Sequence, residues 1–354
     1  MFREKLESWL SRRVPDRAVN LCFDLPAVLA TDIGLHRSEN QDRVAAMKIS
    51  SRSSAGRPLT AVAVADGMGG MRDGGKCATI AMSSFFYALT LYRFQSLEQR
   101  VATAILHAND SVFELYGGNG GATLSAVLID HKLKPVIVNI GDSRIYSFGN
   151  DVSVERLTVD DSLAEAVGGH GRDLLQFIGM GPGIQPHINA MPNSALKIAI
   201  TTDGIHFLPT QTFNDILSHA SDLKSAAERL AALARWCGGS DNASSALVDT
   251  VELSNILGTR DIEGIQLWDP FGSLQTLWVR GETERSEGNQ SNVNLDPDER
   301  KRVPSATESE KAKAGARAGK STEKKPRKPR KQKAADEDLQ FEIEIESSED
   351  PAEQ

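Results

Sequence analysis

Three aspartates of this 354-residue chain stand beside a glycine at the end of an apolar, β-like run. They are Asp66, Asp142 and Asp203, and a fourth, Asp241, directly precedes such a run. A strand end places side chains at one rim of a sheet, and a neighbouring glycine lets other groups approach closely. Each Asp-Gly pair alone is also a common turn signal. Four carboxylates at one rim repel one another, so together they indicate bound Mg²⁺ or Mn²⁺, which prefer oxygen ligands.

Other metal-binding residue types give no competing pattern. The cysteines Cys22, Cys77 and Cys237 are scattered and show no C-x-x-C spacing. This spacing disfavours a zinc knuckle and a disulfide framework, and it is typical of small apolar residues in or near a core.

Between residues 24 and 253, short β-like runs alternate with amphipathic helices. Apolar residues at helical spacing predict helices over 77–92, 97–116 and 223–237. Strand-like runs cover 61–65, 124–130, 135–140, 144–148, 196–202 and 244–253. Several connections are short enough for antiparallel hairpins. The pattern predicts an α/β fold of the α+β type, an α-β-β-α sandwich in which helical pairs flank two stacked, mainly antiparallel sheets.

The segment 160–192 is rich in glycine and poor in strand signals. We predict that it forms a mobile, partly ordered flap beside the carboxylate site. A plain connecting loop is the alternative interpretation.

Composition predicts four parts along the chain. Residues 1–23 carry charges of both signs without an apolar core of a secretory signal, so we interpret them as an N-terminal extension. The main domain covers 24–254, and 255–281 is a short appended segment that could form a docked hairpin. Residues 282–354 are predicted to be a disordered tail. No apolar run reaches about 18 residues, so we expect no membrane span and a cytoplasmic protein.

The tail separates its charges. Residues 311–333 hold eleven Lys or Arg and one Glu, whereas 336–354 hold nine acidic residues and no basic one. The basic block suits an anionic surface, but it has no aromatics for base stacking and the net charge is −8, so we expect no specific nucleic-acid binding. Residues 339–346 alternate apolar and acidic side chains, which predicts strand addition to a partner protein or folding back onto the basic block. A solvated linker is the simpler alternative.

Seven short segments occur in an order that resembles the motifs of the type 2C protein phosphatases, the PPM family, and most of all its bacterial members. They read GLHRSENQD (34–42), ADGMGG (65–70), GAT (121–123), NIGDSR (139–144), LTVD (157–160), TTDGI (201–205) and SDN (240–242). The resemblance spans residues 31–253, the whole predicted domain.

This resemblance implies a two-metal centre at one end of the paired sheets. Asp66 would bridge both ions and the carbonyl of Gly67 would bind one of them, while Asp203 and Asp241 would hold the other. Asp42 would act through bound water, and Arg37 would bind the phosphate. Asp142 matches the position of a weaker third ion.

The implied reaction is hydrolysis of phosphoserine and phosphothreonine in proteins, with Mn²⁺ or Mg²⁺ as cofactors. Water shared by two divalent ions loses a proton far more readily than bulk water. Arg37 offers a planar fork to the phosphate oxygens. The implied partners are phosphoprotein substrates of a Ser/Thr kinase.

Some positions depart from the family pattern. Met68 stands where many animal relatives have a histidine proposed as general acid, and Asp161 stands where histidine is common. His36, His170 and His206 are alternative proton donors, although surface or packing histidines are the simpler interpretation. Phe207 replaces an acidic residue near the third ion, which predicts weak binding there.

Two other functions remain open at this point. A phosphatase-like module that binds phosphoproteins without turnover would lose a core carboxylate, whereas Asp66, Asp203 and Asp241 are all present. A hydrolase of small phosphate esters would share the metal centre and differ in having a closed pocket.

Overall fold

Alternating side chains build two antiparallel sheets whose inner faces pack against each other. The computed structural model describes residues 2–50, 58–68, 70–130, 135–149, 152–168, 173–192, 194–256, 264–278 and 341–344. None of the helices within these ranges is long and apolar enough to cross a membrane.

The first sheet has six strands, each antiparallel to its neighbours. Their spatial order is β1 (Arg17–Leu21), β2 (Ala27–Asp32), β11 (Ala243–Asp249), β10 (Lys197–Thr201), β7 (Arg144–Gly149) and β8 (Val152–Arg156).

The second sheet has eight strands and is also antiparallel throughout. Their spatial order is β14 (Phe341–Glu344), β13 (Gly272–Trp278), β12 (Gly264–Asp269), β3 (Arg43–Ser50), β4 (Leu59–Ala65), β5 (Leu124–Ile129), β6 (Val136–Ile140) and β9 (His187–Ala190).

Helices cover the outer face of each sheet. The second sheet carries α1 (Phe2–Leu10), α2 (Gly74–Leu91) and α3 (Leu97–Tyr116), and the first carries α5 (Asp203–His206), α6 (Thr210–His219) and α7 (Leu223–Trp236). Two short helices, α4 (Leu163–Val167) and α8 (Thr250–Ile256), follow strands β8 and β11 in the chain. The side chain of Asp222 accepts a hydrogen bond from Ser225 N at 2.7 Å and so caps the N-terminus of α7.

Three apolar layers result from this arrangement. The central one joins the facing sides of the sheets, for example Val44 and Val62 with Ile198 and Val248, all 3% exposed or less. The outer layers lie between each sheet and its helices. The α-β-β-α sandwich predicted from the sequence is therefore confirmed.

The ends of some elements differ from the prediction. Helix α3 covers 97–116 as expected, but α2 begins at Gly74 rather than at residue 77. The strand predicted over 244–253 ends at Asp249, and helix α8 follows it. The reason is local, because the Asp249 carboxylate accepts the N–H of Glu252 at 2.9 Å and caps the new helix.

The residues predicted as an N-terminal extension contribute two elements to the sandwich. Phe2, Leu6 and Leu10 repeat every four residues and are buried along one side of α1. Strand β1 pairs with β2 at the edge of the first sheet. Side-chain spacing, rather than the mixed charge used for the prediction, identifies this part of the fold.

Residues 264–278 form the hairpin β12–β13, which pairs with β3 and extends the second sheet. Arg12 joins this hairpin to the N-terminal segment through two hydrogen bonds to Asp269, at 2.6 and 2.9 Å. In the tail, residues 341–344 pair with β13 as β14. The basic block 311–333 and most of the acidic end lie outside the described residues.

Part of the predicted flap is firmly attached to the second sheet. Ile178 is fully buried, and it exchanges two backbone hydrogen bonds with Ala122, at 2.8 and 3.1 Å. Asn109 Oδ1 accepts the N–H groups of Gly179 and Gly181. Residues 178–181 are therefore an ordered part of the predicted flap, because these contacts bind their backbone. Residues 169–172 lie outside the described ranges.

Candidate active site

Five aspartates from five separate segments meet at one end of the sandwich. Asp42 precedes β3, Asp66 follows β4, Asp142 lies between β6 and β7, Asp203 begins α5 and Asp241 lies two residues before β11. Burial, and then charges that include that of Asp203, raises the pKa of Asp42, Asp66 and Asp142. The structure thus brings together the carboxylates that the sequence motifs predicted.

Asp42 is the most deeply buried of the five, with 4% of its surface exposed. Its Oδ2 accepts a hydrogen bond from Thr202 Oγ1 at 3.0 Å, whereas Oδ1 has no hydrogen-bond partner among the described residues. Burial, together with the charges of Asp203 and Asp241, raises its pKa to about 7. A buried, unpaired carboxylate oxygen at this position indicates a ligand such as an ordered water or a cation.

Asp66 is held by its backbone rather than by its side chain. Its N–H donates to Thr123 Oγ1 at 2.9 Å, and its carbonyl accepts the N–H of Thr123 at 2.8 Å. Burial and then the charges of Asp42 and Asp203 raise its pKa well above the ordinary value. These contacts fix the main chain of Asp66 at the rim.

The residue after Asp66 has to be glycine. A Cβ atom on Gly67 would collide with the carbonyl oxygen of Gly74, because the loop packs against the start of α2. The N–H of Gly67 donates to Gln41 O at 3.2 Å, which joins this loop to the segment that carries Arg37 and Asp42. Close packing of two main chains therefore explains the Asp-Gly pair, independently of any turn preference.

Asp142 lies in the tight turn between β6 and β7. Burial and the charges of Asp203 and Asp160 raise the pKa of its carboxyl to about 6. The preceding Gly141 has φ +97°, and a Cβ atom there would lie 2.6 Å from Thr123 Cγ2. This turn requires glycine for both its conformation and its space.

Asp203 and Asp241 come from neighbouring strands of the first sheet, since β10 pairs with β11. Gly204, next to Asp203, lies against the carbonyl of Asn242, where a Cβ atom would collide. Both aspartates are half-buried. The pairing of their strands brings residues 38 positions apart in the sequence to the same rim.

Arg37 is the cation of the site. Its guanidinium donates a hydrogen bond to Asp241 Oδ2 at 2.7 Å, and its side chain is 37% exposed. This bond, with the charges of Asp241, Asp203 and Asp66, raises the pKa of Arg37, so it stays charged. A charged, accessible fork beside a cluster of carboxylates suits an anionic ligand that arrives together with cations.

Asn242 lies in the SDN segment (240–242), and the sequence alone indicated no role for it. Asn242 is 3% exposed, and its Oδ1 accepts the N–H of Gln41 at 2.8 Å. Its Nδ2 donates to the carbonyls of Ile33 and Glu39 at 2.9 and 3.1 Å. This one side chain holds the loop that presents Arg37 and Asp42. Thr123 binds the backbone of Asp66, and Thr202 binds the side chain of Asp42. Asn242, Thr123 and Thr202 all lie within the seven motif segments.

The three candidate histidines lie in different settings. His206 bonds to Thr201 Oγ1 at 3.1 Å, and burial, followed by the charges of Arg144 and Arg156, lowers its pKa well below the ordinary value. It is therefore a neutral packing residue, the simpler of the two interpretations. His36 is exposed, and His170 lies outside the described residues.

The donor set fits hard divalent cations. It consists of carboxylate and backbone oxygens, and the described residues place no cysteine among them. Burial and then mutual repulsion raise the pKa of Asp42, Asp66 and Asp142, and a bound cation would relieve both effects. Among the described residues, no three such side chains stand close enough together to hold an ion.

Comparison with known proteins agrees with this arrangement. The family model described as "Protein phosphatase 2C" matches residues 36–252. The serine/threonine phosphatase stp of Listeria innocua is 27% identical over 247 residues, which cover 63% of this chain and 95% of that protein.

Two solved structures are similar to the chain. One is the PPM Ser-Thr phosphatase MsPP of Mycobacterium smegmatis in complex with cacodylate, with 27% identity, TM-score 0.52, and coverage of 63% of this chain and 97% of MsPP. The other is the catalytic domain of PstP in complex with two manganese ions, with 23% identity and a TM-score of 0.52. The match covers 64% of this chain and 97% of PstP, and it supports the fold. The family and enzyme class predicted from the sequence are thereby confirmed. The chain belongs to the protein phosphatase 2C family and is a metal-dependent protein serine/threonine phosphatase.

Proposed function

We propose that this phosphatase hydrolyses its substrates at the five-aspartate rim, with Arg37 as the phosphate-binding residue. Asp66, the carbonyl of Gly67, Asp203 and Asp241 would hold two Mn²⁺ or Mg²⁺ ions. Asp42 would act through bound water, and Asp142 with Asp203 would hold a weaker third ion. The observation that carries this proposal is the convergence of five carboxylates around one accessible arginine, where burial and then neighbouring carboxylate charges raise the pKa of Asp42, Asp66 and Asp142.

When bound, the ions supply an acidified water as nucleophile and positive charge opposite the phosphate. The chain's own residues do the rest. Arg37 orients the phosphate oxygens, since its fork can donate two parallel hydrogen bonds. Asp42 accepts the Thr202 hydroxyl at one oxygen and keeps the other available for a water proton.

The loop that carries Arg37 is held independently of any ligand. Asn242 binds three backbone groups of residues 33–41, and Gly67 binds a fourth through Gln41. Arg37 itself is oriented by Asp241, a proposed metal ligand, so cation binding and phosphate binding meet at one carboxylate. This preorganisation reduces the ordering cost when substrate binds.

The test is release of phosphate from a phosphothreonine peptide as a function of Mn²⁺ and Mg²⁺ concentration. Asp66→Asn and Asp203→Asn should each lower kcat by at least about 100-fold, because each removes charge from the centre. Asp269→Asn is the control: Asp269 is a buried aspartate bonded to an arginine and a backbone N–H, and it is not one of the proposed metal ligands. Full activity of both site variants would disprove this assignment.

The same assay separates the two alternatives. A module that only binds phosphoproteins would bind the phosphopeptide without metal-dependent turnover. An enzyme for small esters would show a higher kcat/KM for a small aryl phosphate than for phosphopeptides. The presence of Asp66, Asp203 and Asp241 at one rim favours an active enzyme over a module that only binds phosphoproteins.

The partners we propose are cytoplasmic phosphoproteins, substrates of a Ser/Thr kinase, with the charged tail as a further docking element for a partner protein or an anionic surface. Residues 341–344 pair as a strand with β13 of the same chain, and a strand conformation is what strand addition to a partner protein requires. Pull-down with the full chain and with a chain that ends at residue 340 tests the docking role. Identical sets of bound proteins would exclude it.

A further inference from the structure

Asp161 stands at the start of the flap segment 160–192, and its carboxylate lies between the Asp142 turn and residues 176–187 of that segment. Asp161 is 8% exposed, and its Oδ2 accepts the N–H of Gly141 at 3.0 Å. Its own N–H donates to the carbonyl of Gly141 at 2.9 Å. Both backbone polar groups of Gly141 are thus held by one residue, directly beside Asp142.

The other side of Asp161 binds the flap. Its Oδ1 accepts Gln176 Nε2 at 3.0 Å and lies 2.8 Å from His187 Nε2. Its carbonyl accepts the N–H of Leu175 at 2.7 Å. Gln176 in turn accepts the N–H of Gln185 at 2.7 Å. One buried residue therefore bonds three positions in 175–187.

The turn before Asp142 has little freedom of its own. Thr123 packs against Gly141 from inside the sheet, and its hydroxyl bonds to Ser143 Oγ at 2.7 Å. Asn139 Nδ2 also donates to Gly141 O at 3.2 Å. Asp161 contacts Gly141 from the side of the flap. A displacement of the flap therefore reaches the turn through the Asp161 carboxylate.

We propose that Asp161 is a positioning residue that couples the flap to Asp142. A substrate that moves the flap would then shift Asp142, and with it the affinity for the third cation. Only this last step rests on the proposed role of Asp142 as a metal ligand. The rival explanation is that Asp161 merely stabilises the fold.

The first experiment uses no metal and no activity. Amide hydrogen exchange of the full chain is followed by mass spectrometry for wild type, Asp161→Asn, the double variant Gln176→Ala/His187→Ala, and Asp269→Asn. Asparagine has the shape of aspartate but accepts at one oxygen only, so it cannot serve all three donors.

We expect Asp161→Asn to speed exchange in peptides covering 139–143 and 173–178 by on the order of tenfold, since it loses charge-assisted hydrogen bonds. The double variant should affect 173–187 alone, and Asp269→Asn should affect neither region. Unchanged exchange at 139–143 in Asp161→Asn would overturn the proposal. If that variant does not fold, unchanged exchange in 173–187 of the double variant has the same consequence.

The second experiment measures the Mn²⁺ concentration for half-maximal activity on a phosphothreonine peptide. Asp161→Asn should raise it several-fold, on the scale seen for residues that orient metal ligands. The increase should vanish in an Asp142→Asn background, because both changes act through the same ligand. Equal increases in both backgrounds would show that Asp161 only stabilises the fold. An inactive wild type would refute the proposed function and leave the exchange result to decide whether the flap and the turn are coupled.

Discussion

Arg37 donates a hydrogen bond to Asp241 Oδ2 at 2.7 Å, so the proposed phosphate-binding cation and a proposed metal ligand are paired directly. The two residues are 204 positions apart in the sequence. Their pairing places the anion-binding group within reach of the cation-binding rim.

Substitution of Arg37 should therefore affect substrate binding more than folding. Arg37→Lys should raise KM for a phosphothreonine peptide by roughly tenfold, because lysine offers a single point charge in place of a fork. The free energy of unfolding should change little, since the pair is partly exposed. Steady-state kinetics and urea denaturation measure both quantities. A lysine variant with unchanged KM would refute the phosphate-binding role.

Removal of metal should make stability fall as pH rises. Burial raises the pKa of Asp42 to about 7 and that of Asp142 to about 6, against an ordinary value of 3.8. Between about pH 4 and 7 the folded chain keeps protons that the unfolded chain has lost, so this contribution to the free energy of unfolding decreases with pH.

The check is thermal denaturation in excess chelator. Tm should be higher at about pH 5.5 than at about pH 8, and Asp42→Asn should reduce that difference because it removes the titrating group. Asp269→Asn serves as the control and should leave the difference in place. Saturating Mn²⁺ should abolish or reverse it. A chelated wild type that is more stable at the higher pH would contradict the prediction.

Asn242 should be essential for holding the Arg37 loop. Asn242→Ala removes the side-chain partner of three partly buried backbone groups and should destabilise the fold by about 2 kcal/mol. Activity should fall further than stability explains, because Arg37 and Asp42 lose their support. Asn20→Ala is the control: it removes two hydrogen bonds to the β12–β13 hairpin, away from the rim. Equal loss of activity in both variants, measured where both are folded, would count against this role.

The ion pair between Arg12 and Asp269 should join the N-terminal segment to the hairpin. Arg12→Ala leaves the Asp269 carboxylate buried with one backbone donor, and should lower stability by about 2 kcal/mol. Urea denaturation of Arg12→Ala, Asp269→Asn and the double variant measures the coupling. Additive effects would show that the two segments are stabilised independently.

The strand formed by residues 341–344 should be removable without loss of catalysis. Ile343→Pro removes a backbone donor and should speed amide exchange in β13, which pairs with it. Ser347→Pro, beyond the strand, is the control and should have no effect. Phosphatase activity should be unchanged in both. Equal exchange in β13 for wild type and Ile343→Pro would mean that the strand does not form in solution.

The sequence determined the parts of this protein that depend on local pattern. Apolar spacing predicted α3 to the residue, and the alternation of short apolar runs predicted the antiparallel sheets. Aspartates beside glycine at strand ends predicted that Asp66, Asp142 and Asp203 would gather, because a strand that ends at the rim leaves its next residue there.

Tertiary structure decided what holds those carboxylates in place. No pattern predicts that Asn242 binds the Arg37 loop, that Thr202 donates to Asp42, or that Asp161 joins Gly141 to the flap. The tertiary structure also decided that α1 and β1, within residues 2–21, belong to the sandwich. Local periodicity reports which face of an element is buried, whereas these contacts join side chains far apart in sequence and exist only once the sheets have paired.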